Sequence, residues 1–145
     1  DVSFICMYPF HYLHEVEYGD IDAFGHVNSI WYFRYMETAR VKYTIELFGK
    51  EWRVGSGSVV ASASCDYKSA SFFGETLKVE VGVARMGSKS FDLVYRMSDL
   101  ASGRLVCLGK TVQVLWHVQE RHTLLIPDEF RQRVETYQKG WRLDP

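Results

Sequence analysis

The hydrophobic pattern changes period twice along the chain. Behind the breaker Pro9, residues His11 to Tyr18 (HYLHEVEY) alternate loosely and predict a first strand. From Asn28 onward the period is helical: Ile30, Phe33, Met36, Ala39, Tyr43 and Leu47 recur at three- and four-residue spacings. Asn28 or Ser29 suits the N-cap and Gly49 the stop, which predicts a helix from Ser29 to Phe48. Its apolar stripe is broad and aromatic, as in a helix enclosed by other structure. The period then falls to two. Val59 to Ser64 reads as a strand, continued by Asp66 to Phe73 and ended by Gly74. Leu77, Val79, Val81 and Val83 alternate, as do Phe91, Leu93, Tyr95 and Met97. Val106, Leu108, Val112, Val114 and Trp116 form a last strand, out of phase at Lys110. MGSKS (Met86 to Ser90) and DLASGR are the turns between them. Pro127 suits the first position of a C-terminal helix with Phe130, Val134, Tyr137 and Trp141 on one face.

This order, strand, buried helix, then four antiparallel strands in series, predicts an α+β layer fold in a single domain spanning residues 1–145. One helix cannot cover both faces and both edges of so long a sheet, and a second subunit shields an edge strand cheaply. A homo-oligomer, dimer or tetramer, is expected.

Composition narrows the function. The 145 residues suffice for a core, and 47% are apolar, too many for a disordered chain. A net charge of -1 gives no overall field to attract nucleic acid or an acidic membrane surface. No apolar run approaches the ~20 residues of a membrane helix, and there is no basic-then-apolar leader. The chain opens on Asp1, which is compatible with a short leader upstream. Cys6, Cys65 and Cys107 are far apart, with no CxxC or zinc spacing. Cys107 reads as a small core residue, and the compartment as reducing and cytoplasmic.

The chemistry concentrates in EYGDIDAFGHVNS, Glu17 to Ser29. A carboxylate at a strand end just before a helix lies close to helix amides that suit a developing oxyanion. It can activate water or attack an acyl carbon. Asn28 can hold a water or a carbonyl oxygen, and His26 can move a proton near neutral pH. Each residue also has a structural reading. Asp20 suits a turn cap, Asp22 a helix N-terminal acid, His26 a packed histidine and Asn28 the helix cap. A metal reading of Asp20, Asp22 and His26 lacks a further ligand, and no cofactor is called for. Ser29 lacks the GxSxG context of a nucleophile elbow.

The stretch YGDIDAFGHVNSIWYFRYMETAR resembles the hotdog-fold acyl-CoA thioesterases of the 4-hydroxybenzoyl-CoA thioesterase type, which carry aromatic-Gly-Asp-x-Asp-x-x-Gly before the long central helix. The Gly-His-Val-Asn form is similar to bacterial acyl-CoA hydrolases and plant acyl-carrier-protein thioesterases. The resemblance implies a hotdog fold, with the long helix wrapped by an antiparallel sheet of about five strands, here with an extra C-terminal helix. It also implies Asp22 as nucleophile or general base, Asp20 as structural, and the Ser29 amide as oxyanion donor. His26 and Asn28 would orient the acyl group or water. Gly25 closes the motif beside the substrate, and the acyl chain would lie against Tyr32 and Met36. Ser88, Lys89 and Ser90 would meet CoA phosphates, and the site would sit at a dimer interface. The plant enzymes have asparagine where this chain has Phe24, which favours the simpler carboxylate mechanism. Hydratases of this fold pair an Asp with a His five positions later, whereas His26 is four from Asp22 and six from Asp20. A non-catalytic acyl-CoA binder and a hydrolase of acyl-carrier-protein thioesters are the alternatives. A purely structural oligomer leaves the acid, glycine and asparagine cluster without a reason.

Overall fold

The computed structural model describes residues 7–50 and 57–141. In chain order it contains β1 (Phe10–Glu15), a 3-10 turn (Tyr18–Asp20), α1 (Ser29–Phe48), β2 (Ser58–Tyr67), β3 (Thr76–Met86), β4 (Ser90–Asp99), β5 (Leu105–His117), β6 (His122–Thr123) and α2 (Asp128–Gln138). The strands form one antiparallel sheet in the order β1-β3-β4-β5-β2, and the two-residue β6 pairs with β5. With α1 packed against the sheet and α2 added at the end, this is the expected hotdog arrangement.

The series of four strands is corrected in one respect. β3, β4 and β5 follow one another, but β2 lies at the far edge, against β5. Of the predicted continuation from Asp66 to Phe73, only Asp66 and Tyr67 are strand. After Tyr67 the chain leaves β5, with the Lys68 and Ser69 amides donating to Val106 O at 2.8 and 3.1 Å. It then crosses the end of the sheet. On the way Ser71 O accepts from Val27 N at 2.9 Å and Glu75 O accepts from Val16 N at 2.9 Å. The crossover is therefore the floor beneath the segment that joins β1 to α1.

α1 has the predicted bounds, but its buried face is rotated at the start. Tyr32, Tyr35, Met36, Ala39 and Tyr43 are inside, whereas Ile30 and Phe33 face outward. Two tyrosines replace the expected Ile and Phe because the Tyr35 hydroxyl has a buried partner, Asp20. Met36 sits on Gly109, where a Cβ would collide with its sulfur. The alternation in β5 also points the other way. Cys107, Gly109, Thr111, Gln113 and Leu115 lie on the face toward α1, and the apolar run Val112, Val114, Trp116 lies on the opposite face, half-buried. The inward hydroxyl has a partner, Tyr95 Oη 2.7 Å from Thr111 Oγ1, and Gln113 Nε2 donates to Ser58 Oγ at 2.8 Å, while Gln113 Oε1 is buried without a partner among the described residues. The opposite face of the sheet carries cross-strand ion pairs, Arg96 with Glu80 at 2.7 Å and Arg85 with Asp92 at 3.0 Å. Lys110 joins Asp92 there at 3.4 Å, which accounts for its break in the pattern. Pro127 is the cap of α2 and not its first residue, and Trp141 lies past the helix end.

Candidate functional site

The segment from Glu17 to Ser29 is shaped by backbone hydrogen bonds. Ile21 bridges Val27 in an antiparallel pair, and the Asp22 amide donates to His26 O at 3.0 Å. The Gly25 amide donates back to Asp22 O at 3.0 Å, with Gly25 at φ +86°, a conformation glycine adopts without strain. The result is a small hairpin with Asp22 to Gly25 at its tip. The Asn28 amide donates to Asp20 O at 3.0 Å and locks the hairpin to the start of α1.

Asp20 is buried at 5% exposure beneath this hairpin. Its Oδ2 accepts from Tyr35 Oη at 2.7 Å, pairs with His14 Nε2 at 3.0 Å and accepts from the Glu17 amide at 3.2 Å. One carboxylate thus ties β1, the turn and α1 together. Burial alone would raise its pKa, but the hydrogen bonds from Tyr35, His14 and Glu17 outweigh it and hold the group below the usual carboxylate range. Burial and the bond to Asp20 push the Tyr35 hydroxyl far up, so it stays a donor. Asp20 is a structural anchor, as its place in the motif implies.

Asp22 is half-buried at the hairpin tip. Its Oδ1 accepts from the Phe24 amide at 2.9 Å, and Oδ2 has no partner among the described residues. His26 is half-buried too, its Nδ1 3.5 Å from Val27 O and its ring stacked at 6.3 Å on the exposed Phe24. Asn28 is the N-cap of α1, with Oδ1 accepting from Ile30 N at 3.1 Å and its carbonyl from Trp31 N at 3.0 Å. That leaves the Ser29 amide, at the positive end of the helix, without an acceptor among the described residues. Replacing Asn28 with Ala removes the cap and is expected to cost about 1 kcal/mol, with Asn28→Ser restoring most of it. Urea unfolding of the two variants measures this, and equal midpoints for Ala and wild type would remove the capping role.

The remaining site residues are dispersed. Tyr32 and Met36 are buried under α1. Above Met36 a groove of about 320 Å³ opens between α1 and β2, lined by Phe33, Val60 and Ala63 and by the charged Arg34, Glu37 and Arg40. Ser88, Lys89 and Ser90 lie at the β3–β4 turn, held by Ser88 O accepting from Ile126 N at 2.8 Å and Ser90 Oγ from Arg85 at 2.9 Å. β1 pairs its Glu15 end with Thr76, so the hairpin of Asp22 is at one end of β3 and the turn at the other. Eleven strand residues separate them, about 35 Å at the rise of a β-strand. Within one chain these two groups do not meet.

Three neighbours were not legible from the sequence. Tyr67 Oη donates to Ser29 O at 3.0 Å and its ring packs on Tyr32 at 5.5 Å. Ser71 is fully buried below the hairpin, beside Tyr32. His14 reaches Asp20 from β1. Only the fold brings them here, and no spacing marks them. Among the described residues no group of three or more His, Cys, Asp or Glu is placed to hold a metal, and no helix is long and apolar enough to cross a membrane.

Residues 16–134 match the thioesterase-like superfamily. The YsmA protein of Bacillus subtilis (strain 168) is 31% identical over 121 residues, 76% of this chain and 81% of that protein. Among solved structures, a thioesterase from Thermus thermophilus complexed with coenzyme A and Zn superposes with a TM-score of 0.81 at 24% identity, covering 91% of this chain and 96% of that one. A 1,4-dihydroxy-2-naphthoyl-CoA thioesterase from Synechocystis gives a TM-score of 0.76 at 20% identity, covering 86% and 94%.

Proposed function

Because the chain belongs to the thioesterase-like superfamily, we propose that it hydrolyses acyl-CoA thioesters, with Asp22 as general base or nucleophile and the Ser29 amide as oxyanion donor. The observation that carries this reading is the pairing in one short segment of a carboxylate oxygen without a partner and a helix-start amide without an acceptor, among the described residues. In the base route, Asp22 takes a proton from water as the water oxygen attacks the acyl carbon. The oxyanion that forms is stabilised by the Ser29 amide. The C–S bond then breaks and the proton passes to the departing thiolate. In the nucleophile route, Asp22 forms an anhydride that water resolves. His26 and Asn28 flank the reacting carbon and orient water or the acyl group.

The acyl group runs along α1 in the groove above Met36, with Tyr32 beneath its first part. The CoA end needs a second copy of the chain. β2 is a ten-residue edge strand with Val59 and Val60 exposed, beside the outward Ile30, Phe33, Val41 and Ile45 of α1. Such an edge is a template for pairing. Two β2 strands side by side and antiparallel bring the Tyr67 end of one to the Ser58 end of the other. The second copy's turn with Ser88, Lys89 and Ser90 then comes to the end of the sheet that holds Asp22. Sedimentation equilibrium is expected to give a multiple of the 16.8 kDa chain mass, at least two. A stable monomer would end the shared-site arrangement.

The hydrolase reading is tested by CoA release from short, long and aromatic acyl-CoAs. Turnover of one class names the acyl group. The aromatic class is included because the Synechocystis relative takes a naphthoyl thioester. No release from any of them would shift the reading to acyl-carrier-protein substrates or to binding without hydrolysis.

A further inference from the structure

We propose that Cys65 and Cys107 form a hydroperoxide-responsive dithiol that closes into a disulfide beneath the first turns of α1. The two residues are 42 positions apart in sequence, yet Cys65 Sγ and Cys107 Sγ lie 3.2 Å apart, within hydrogen-bond reach. Both are free thiols on the sheet face that packs against α1. The register explains how they meet. Cys65 of β2 stands opposite Gly109 of β5, and Cys107 stands opposite Tyr67, so the cysteines are diagonal neighbours. Diagonal side chains on one face of a strand pair come within reach of each other. Gly109, opposite Cys65, carries no side chain, and the sulfur of Met36 occupies the space above it. A disulfide needs sulfurs about 2.05 Å apart, so the pair must close by roughly 1.2 Å, and because diagonal neighbours sit wide at their Cα atoms, about 7–8 Å, closure draws the β2 backbone toward β5.

The two thiols are not equivalent, and the difference assigns their roles. Cys65 is half-buried on the edge strand, whereas Cys107 is fully enclosed. The hydrogen bond with Cys107 holds the Cys65 thiol below the ordinary range, and the same interaction with burial pushes Cys107 up. Thiolate and access together select the reactive sulfur. Cys65 thiolate attacks one oxygen of a hydroperoxide, the O–O bond breaks, and Cys65 becomes a sulfenic acid as the second oxygen leaves as hydroxide or alkoxide. Cys107 sulfur then attacks Cys65 sulfur, the S–O bond breaks, and the hydroxide leaves with the Cys107 proton as water. The two thiols lose two electrons and the peroxide gains them.

The position gives the crosslink a consequence. Tyr67, opposite Cys107, holds the carbonyl of Ser29 through its hydroxyl and packs on Tyr32. Covalently drawing β2 to β5 here acts on the residues that hold the start of α1. The resulting control of turnover rests on the hydrolase reading above, whereas the crosslink itself does not.

The test uses the full chain with Cys6→Ser, so that two cysteines remain. It is treated with hydrogen peroxide, blocked with N-ethylmaleimide, digested and mapped by mass spectrometry. The expected result is one intramolecular Cys65–Cys107 peptide pair, both thiols lost to alkylation, and both returned by dithiothreitol. In Cys107→Ala the oxidation is expected to stop at a sulfenic acid on Cys65, trapped by dimedone. In Cys65→Ser, Cys107 is expected to stay reduced. Sulfinate at Cys65 with Cys107 still alkylatable, or crosslinks only between chains, would overturn the proposal. CoA release is read by chromatography on the same samples. Oxidation is expected to lower it several-fold and dithiothreitol to restore it, and a mapped crosslink with an unchanged rate would overturn the regulatory part. Absence of release from the reduced protein counts against the hydrolase reading instead, and the peptide map still decides the dithiol.

Discussion

Asp22→Asn is expected to lower CoA release by about 10²- to 10⁴-fold, the range that a positioned base supplies, while leaving the protein folded. The substitution keeps an oxygen for the Phe24 amide, which Asp22 Oδ1 accepts at 2.9 Å. The hairpin is otherwise closed by backbone groups. The stability change should therefore stay within about 0.5 kcal/mol, since no packed contact or hydrogen bond is lost at this half-buried position. Rate and unfolding are measured on the same preparation, because a base or nucleophile role lowers the rate and leaves stability in place. A rate within tenfold of wild type in a folded variant would remove Asp22 as base or nucleophile and direct attention to His26. A rate loss accompanied by a large stability loss would mean that the carboxylate shapes the loop and does not act on substrate.

The neighbouring acid should behave in the opposite way. Asp20→Ala is expected to destabilise the protein by about 3–5 kcal/mol, since it strands the partners of a buried charge. The Tyr35 hydroxyl, His14 and the Glu17 amide all lose their acceptor at once. That is a large share of the roughly 5–15 kcal/mol that holds a typical domain together. The pH dependence has a definite sign. The folded pKa of Asp20 lies below its unfolded value. Its contribution is present in full above the unfolded value of about 3.9 and is lost as pH falls through the folded value. Asp20→Asn keeps the size but not the charge, so its stability should decline less steeply than wild type below about pH 4. Urea midpoints from strongly acidic to neutral pH provide the comparison. Parallel curves for the two proteins would show that Asp20 carries no charge-dependent stability.

These two carboxylates are two residues apart and look alike in the sequence, and the contrast between them shows what a sequence can disclose. α1 was readable because both signals for its ends, Asn28 and Gly49, are local. β3 and β4 were readable because each buries the face that its alternation marks. The edge position of β2 was not, since a period of two identifies a strand but not its neighbour. The inward face of β5 was misread for a related reason. Its inward residues up to Gln113 are small or polar, with Thr111 partnered by Tyr95 and the Gln113 amide nitrogen by Ser58, so hydrophobicity points to the wrong side. The anchor role of Asp20 needs His14 and Tyr35, which lie 6 and 15 residues away on a strand and a helix. The turn with Ser88, Lys89 and Ser90 belongs to the far end of the sheet, a separation that no linear motif conveys. Helix ends and the acid-rich segment are local facts. Partners across the fold are not.

The way the tip of the loop is built sets how the molecule can diversify. Asp22 is held by amides and carbonyls of its own segment, while the side chains of Ala23 and Phe24 stand exposed and take no part in closing the turn. A scaffold of this kind separates the position of the Asp22 carboxylate from the identity of its two neighbours. Those two side chains can therefore be exchanged for bulkier or more polar ones while the carboxylate stays where it was.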